Sequence, residues 1–184
     1  MKIVVAPHPA LSQKSQIIQS FDKKTVKFSQ DLENTLFNQA QGIGLAAPQV
    51  AKNWRIFVIN LPQKSSQIFI NPEIIAHSKE KKYFKTHQAN NQLEQPFLEG
   101  CLSIPDIYGT VKRWPEISTR WFDLKGKKHQ KQFHDLTAIV FQHEYDHLEG
   151  ILFTQRVLKE KGEILRKESD QLEKISLSSF KLNK

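Results

Sequence analysis

Apolar residues recur over residues 25–40 at Val26, Phe28, Leu32, Leu36, Phe37 and Ala40, the spacing of one face of an amphipathic helix. A second stripe joins Leu136, Ile139, Val140, His143 and His147, with Asp135 as the expected N-cap and Gly150 as the stop. That stripe should face the core, so it buries two histidines that need a ligand or a hydrogen-bond partner. Between the two helices lie β-rich runs: Arg55 to Asn60, Gln67 to Pro72, and Glu116 to Leu124. The last turns at Lys125-Gly126-Lys127-Lys128 into Gln130 to Phe133, which reads as a hairpin. Residues 78–96 are dominated by Lys, Gln and Asn and read as a solvated loop or loosely paired hairpin. In the charged tail, Leu158, Leu165, Leu172 and Ile175 predict one long amphipathic helix. Strands, a central helix and a terminal helix in that order predict an α+β fold. Small antiparallel or mixed sheets would pack around the histidine-bearing helix, with a C-terminal helix outside.

Composition narrows the class. The 184 residues suit one domain able to bury a real core, and 39% hydrophobic against 25% charged residues is the balance of a soluble globular chain. No apolar run approaches the roughly 20 residues needed to span a bilayer. The opening Met1-Lys2-Ile3-Val4-Val5-Ala6-Pro7 is too short before its proline for a signal peptide's apolar region. The expected location is the cytoplasm. One cysteine, Cys101, excludes an internal disulfide and leaves a thiol that is either buried and inert or chemically employed. A net charge of +8 points to an anionic neighbour or to solubility alone, and no nucleic-acid motif accompanies it.

The chemistry concentrates in Gln142-His143-Glu144-Tyr145-Asp146-His147-Leu148-Glu149-Gly150. Histidines four apart on a helix project from one face and can chelate one divalent metal, while Glu144 beside them can move protons for water. A catalytic site of this kind wants three protein ligands and an open position. The third could be Glu168, about twenty residues downstream, as in one class of endopeptidases. The extended pattern with a third histidine fails, because Phe153 stands at that place. The remaining candidate is Cys101, whose thiolate suits a borderline-soft metal. A closed structural site with His134 as fourth ligand is the non-enzymatic alternative.

Three segments taken together are specific: GIGLAAPQ at 42–49, EGCLS at 99–103 and QHEYDHLEG at 142–150. Their order and separations resemble the three motifs of the peptide deformylase family. Pro7-His8-Pro9-Ala10-Leu11, Ile70-Asn71-Pro72 and Ile151-Leu152-Phe153 extend the resemblance over most of residues 1–157. It implies a catalytic domain over 1–157, with 158–184 a helical tail of the same domain. The implied activity is metal-dependent release of formate from the N-terminal formylmethionine of newly made proteins.

The resemblance also implies roles by position. Cys101, His143 and His147 would be the metal ligands, with Fe(II) the native ion and Zn(II) or Ni(II) able to occupy the same site. Glu144 would be the acid/base group, and the Gln49 side-chain amide and Leu102 backbone N–H the donors to the developing oxyanion. Gly44 and Gly100 would meet the peptide backbone. Ile43, Glu99, Leu136, Ile139 and Val140 would line the methionine pocket, and Arg113 and Asp146 would steady the ligand helix. The implied partners are N-formylmethionyl nascent chains and, through the basic tail, the ribosome surface, with no membrane and no sequence-specific nucleic-acid binding. Two features depart from the family pattern: the segment between Pro72 and Glu99 is about ten residues longer than the pattern, and Gln155 replaces a usual acid before Arg156.

Overall fold

The computed structural model describes residues 1–87, 94–169 and 171–178. An extended arm opens the chain and is tied down by backbone bonds from Val4 to Gln49 and from Ala6 to Ser103. Helix α1 (Lys23–Phe37) starts at Asp22, whose Oδ1 accepts from the Thr25 N–H at 2.9 Å. Strands β1 (Gly44–Ala46), β2 (Ile56–Ile59) and β3 (Gln67–His77) then form an antiparallel run. Short strands follow: β4 (Lys82–Tyr83), β5 (Lys85–His87), β6 (Glu94–Pro96) and β7 (Glu99–Cys101). Next come β8 (Ile104–Gly109), β9 (Lys112–Arg113), β10 (Glu116–Phe122) and β11 (Lys128–His134). Helix α2 (Asp135–Leu148), helix α3 (Phe153–Glu160) and the hairpin β12 (Ile164–Glu168) and β13 (Gln171–Lys174) complete the fold. No helix among the described residues is long and apolar enough to cross a membrane.

The main sheet runs β1-β2-β3-β10-β11, and the second β13-β12-β8-β7. Strand β2 is apolar at every position because both faces of its sheet are covered. Ile56 and Val58 pack with Leu32 and Leu36 of α1. Phe57 and Ile59 turn the other way, toward α2. There the Phe141 ring meets Phe57 and Phe69 edge-on, with centroids 5.0 and 5.2 Å apart. These rings hold α2 against the sheet and set which of its faces points at β7. A third cluster, around Phe153, Val157 and Ile164, fastens α3 to the second sheet.

The α+β class and the central helix match the expectation; several details differ. The residue flanking α2 is His134, while Asp135 is its first residue, at φ +51°. Gly150 ends the helix at φ +71°, and a Cβ there would come within 2.8–2.9 Å of the Ser12 and Gln13 backbone. The tail is not one long helix. Helix α3 stops at Lys161, which is left-handed at φ +53°, and Gly162 then packs against Thr110. Backbone pairing of β12 with β8 outweighs helical propensity there, and the seven-residue spacing of Leu165 and Leu172 serves a hairpin instead. Asp170 and residues 179–184 of the tail lie outside the described residues. Within 78–96, β5 and β6 pair as a hairpin, and its segment 88–93 also lies outside them.

Candidate metal centre and active site

Helix α2 presents His143 and His147 one turn apart, with Glu144 beside them, and all three are buried. Strand β7 brings Cys101 to the same place. One donor atom from each of Cys101, His143 and His147 lies within 4.8 Å of the other two. Cys101 Sγ is 3.2 Å from His147 Nε2. His143 Nδ1 is 2.8 Å from Glu99 Oε2, which leaves its Nε2 for the centre and fixes its tautomer. Two imidazole nitrogens and a thiolate, with no fourth protein ligand among the described residues, fit a single ion such as Fe(II), Zn(II) or Ni(II).

Electrostatics agree with the donor chemistry. Burial would push the Cys101 thiol up, but the neighbouring His147 and His143 outweigh it and hold the thiol at about 5. Burial also raises the Glu144 carboxyl, against the pull of both histidines, to about 7. Its Oε2 has no hydrogen-bond partner among the described residues. Glu144 is therefore a buried acid with a free oxygen and a proton affinity near neutrality.

The centre opens into a cavity of about 390 Å³ between β1, β7 and the face of α2 that carries Ile139, Val140, His143 and Glu144. Ile43, Gly44, Gln49, Glu99, Gly100, Cys101 and Leu102 also line it. Gln49 sits on a 3-10 turn (Ala47–Val50), where its Oε1 accepts from the Ala46 N–H at 2.8 Å. That bond settles which way the amide points. Nε2 consequently faces the centre, 3.4 Å from Cys101 Sγ and 3.3 Å from Ser103 Oγ. Leu102 lies in the tight turn between β7 and β8. Gly44 comes so near α2 that a Cβ would stand 2.7 Å from Glu144 Cδ.

Of the remaining expected pocket residues, Leu136 lies outside the cavity and Glu99 lines it. Leu136 does not line the cavity: it is 38% exposed, and burial along α2 starts only at Ala138. Glu99 does line the cavity, but its carboxylate is engaged behind it. Arg113 donates Nε and Nη2 to its two oxygens at 2.7 and 2.8 Å. The same guanidinium donates Nη1 to Asp146 at 2.5 Å, so the expected Arg113–Asp146 pair exists and is buried. Burial alone would raise Glu99, yet Arg113 and then His143 hold it at about 2.

The alternative ligands are elsewhere. Glu168 is on the exposed hairpin beside Arg166 at 3.7 Å, and His134 is on the surface beside Glu116 at 3.3 Å. Sequence reasoning missed Phe97, Leu98 and Tyr108, which line the cavity. The first two were signalled as an apolar pair ending a polar stretch. Tyr108 gave no such signal, because only the pairing of β7 with β8 lays its ring against Gly100. Gln155, where the family pattern favours an acid, caps α3 by accepting from the Leu152 N–H at 2.9 Å.

Residues 1–163 match the family model described as polypeptide deformylase. The peptide deformylase of Cytophaga hutchinsonii is 39% identical over 171 residues, covering 89% of this chain and 85% of that protein. That of Pseudothermotoga lettingae is 36% identical over 166 residues, with 90% and 88% covered. The crystal structure of peptide deformylase from Thermotoga maritima aligns with a TM-score of 0.73 at 30% identity, over 84% of this chain and 95% of that one. The family match spans both motifs that build the centre and the glycine-rich segment facing them, and the chain belongs to the polypeptide deformylase family.

Proposed function

We propose that Cys101, His143 and His147 hold one divalent ion and that Glu144 moves the protons of the deformylation reaction. The chain is a metal-dependent hydrolase that removes the N-formyl group, as formate, from the N-terminus of newly made polypeptides. The observation that carries the residue assignment is the convergence of three donor atoms within 4.8 Å beside a buried, partnerless carboxylate oxygen.

A divalent ion held by these three donors would supply Lewis acidity toward the formyl group and toward water near neutral pH. Glu144 takes a proton from the attacking water and returns it to the departing amine, a task suited to a group near 7. Gln49 Nε2, locked by the Ala46 N–H, donates to the charge that builds on the formyl oxygen, and the Leu102 N–H completes the pair. Gly44 and Gly100 offer backbone on the two sides of the cavity to an extended peptide. Ile43, Ile139 and Val140, with Phe97 and Leu98, form the apolar wall for the methionine side chain.

Fe(II) is the proposed native ion, by resemblance to the family; Zn(II) and Ni(II) share its preference for thiolate and imidazole. The cytoplasm is the proposed site of action, and nascent chains on the ribosome are the proposed substrates. The lysines of the C-terminal hairpin are the part of the tail offered to that surface. The exposed position of Glu168 speaks against an endopeptidase, and that of His134 against a closed structural site. The test is formate release from a formyl-Met peptide, with no internal cleavage of the unformylated peptide. Glu144→Ala should keep its metal and lose at least about 10²-fold in turnover. Near-normal turnover by the metal-loaded variant removes Glu144 from the proton-transfer role.

A further inference from the structure

A second cavity, of about 310 Å³, opens against another face of α2, the one carrying Gln142, Tyr145, Asp146 and Glu149. Cations from three separate elements meet there: Lys81 just before β4, Arg113 on β9 and Arg156 on α3. Their compensation is incomplete. Arg113 is spent on Glu99 and Asp146. Arg156 gives Nε and Nη2 to Asp146, and its Nη1 makes no hydrogen bond among the described residues. Glu149 is committed to Lys14 and Arg55 at 2.9 and 2.6 Å. Glu160, also near Lys81, accepts the Lys112 N–H.

Lys81 itself has no carboxylate within ion-pair distance among the described residues. Its ammonium lies 4.3 Å from the centroid of the Trp114 ring, whose partner in stacking is His77 at 3.8 Å. Burial first, and repulsion from Arg156 next, lower its proton affinity. Two cations that repel across a half-buried cavity are stabilised when an anion enters between them. A tetrahedral oxyanion suits this pair, one oxygen on the ammonium and another on the outward guanidinium N–H. The stacked Trp114 and His77 supply a flat wall to the cavity.

We propose that this cavity is an oxyanion site in which Lys81 and Nη1 of Arg156 bind a phosphate group, free or carried by a larger molecule. The assignment is independent of the roles given to the catalytic cavity. An occupant would also fix Arg156, which together with Arg113 holds Asp146 on the ligand helix.

Calorimetric titration of the metal-loaded full chain with inorganic phosphate, at constant ionic strength, tests the site. Saturable binding is expected, weakened about tenfold or more in Lys81→Gln and retained within a few-fold in Lys81→Arg. Deformylation of a formyl-Met peptide should be unchanged in both variants, which shows that each is folded. A parallel titration with a short single-stranded RNA identifies the source. Tighter binding than free phosphate, lost with Lys81→Gln, assigns the group to a nucleic-acid backbone; weaker RNA binding assigns it to a small anion. Absence of saturable phosphate binding, or equal affinity in Lys81→Gln and the parent, overturns the proposal.

Discussion

Gly44 and Glu144 are in contact across the catalytic cavity, with the glycine backbone standing where any side chain would strike the carboxylate. The contact joins two motifs a hundred residues apart, and it is made by strand β1 packing on the ligand helix. It gives the glycine a reason that a turn does not. Gly44→Ala should drive the Glu144 carboxylate out of place while leaving Cys101, His143 and His147 undisturbed. The expected result is full metal content with turnover down about 10²-fold, the scale of a mispositioned catalytic group. Metal analysis and kcat on one preparation check this, and unchanged turnover would show that Glu144 tolerates the displacement.

The wall of the cavity predicts selectivity. Ile43, Ile139, Val140, Phe97 and Leu98 present no partner for a charged side chain, and the Arg113 guanidinium behind Glu99 is already spent on Glu99 and Asp146. A formyl-Met peptide should exceed formyl-Asp in kcat/KM by at least about 10²-fold, because an unpaired buried carboxylate costs several kcal/mol. Comparable values for the two peptides would place the methionine side chain outside this wall.

The ligand helix was legible because its chemistry and its period are local. His143 and His147 at four-residue spacing, the apolar positions between Ile139 and Leu148, and the Gly150 stop all lie within one short segment. Cys101 stood out as the only thiol, although the thiol alone left Glu168 and His134 open. What escaped was set by tertiary contacts. Leu136 has the right helical phase but falls on the exposed first turn of α2. The tail leucines fit a helix and a hairpin equally, and pairing with β8 decides for the hairpin. The pairing of β3 with β10 and the convergence of Lys81, Arg113 and Arg156 join segments with no common pattern along the chain.

Acid should weaken the scaffold behind the centre in a defined window. Burial raises Glu99, but Arg113 and His143 prevail and bring it from 4.5 to about 2. A carboxyl depressed in the folded state contributes stability that is complete above its unfolded value and disappears as pH falls through its folded one. The loss attributable to Glu99 therefore lies between about 4.5 and 2. Denaturant unfolding of the metal-free protein across this range should show stability falling with pH. Glu99→Gln should be less stable at neutral pH, since it leaves the Arg113 charge less compensated, and its pH dependence should be flatter. An identical slope in the variant would locate the acid sensitivity elsewhere.

The third ligand can be tested without any substrate. Cys101 sits on β7 with its sulfur against His147 Nε2, whereas Glu168 sits on the exposed hairpin strand β12. A thiolate ligand must give up its proton when the ion binds, and the histidines already hold this thiol at about 5. Cys101→Ala should therefore strip or greatly weaken metal binding and abolish deformylation, while Glu168→Ala should leave both intact. Metal-to-protein ratios after gel filtration report binding directly, and formate release reports the reaction. The reverse pattern, with Glu168 required and Cys101 dispensable, would mean that the exposed hairpin reorganises to reach the histidines. In that case the buried Cys101–His143–His147 cluster would not be the metal centre.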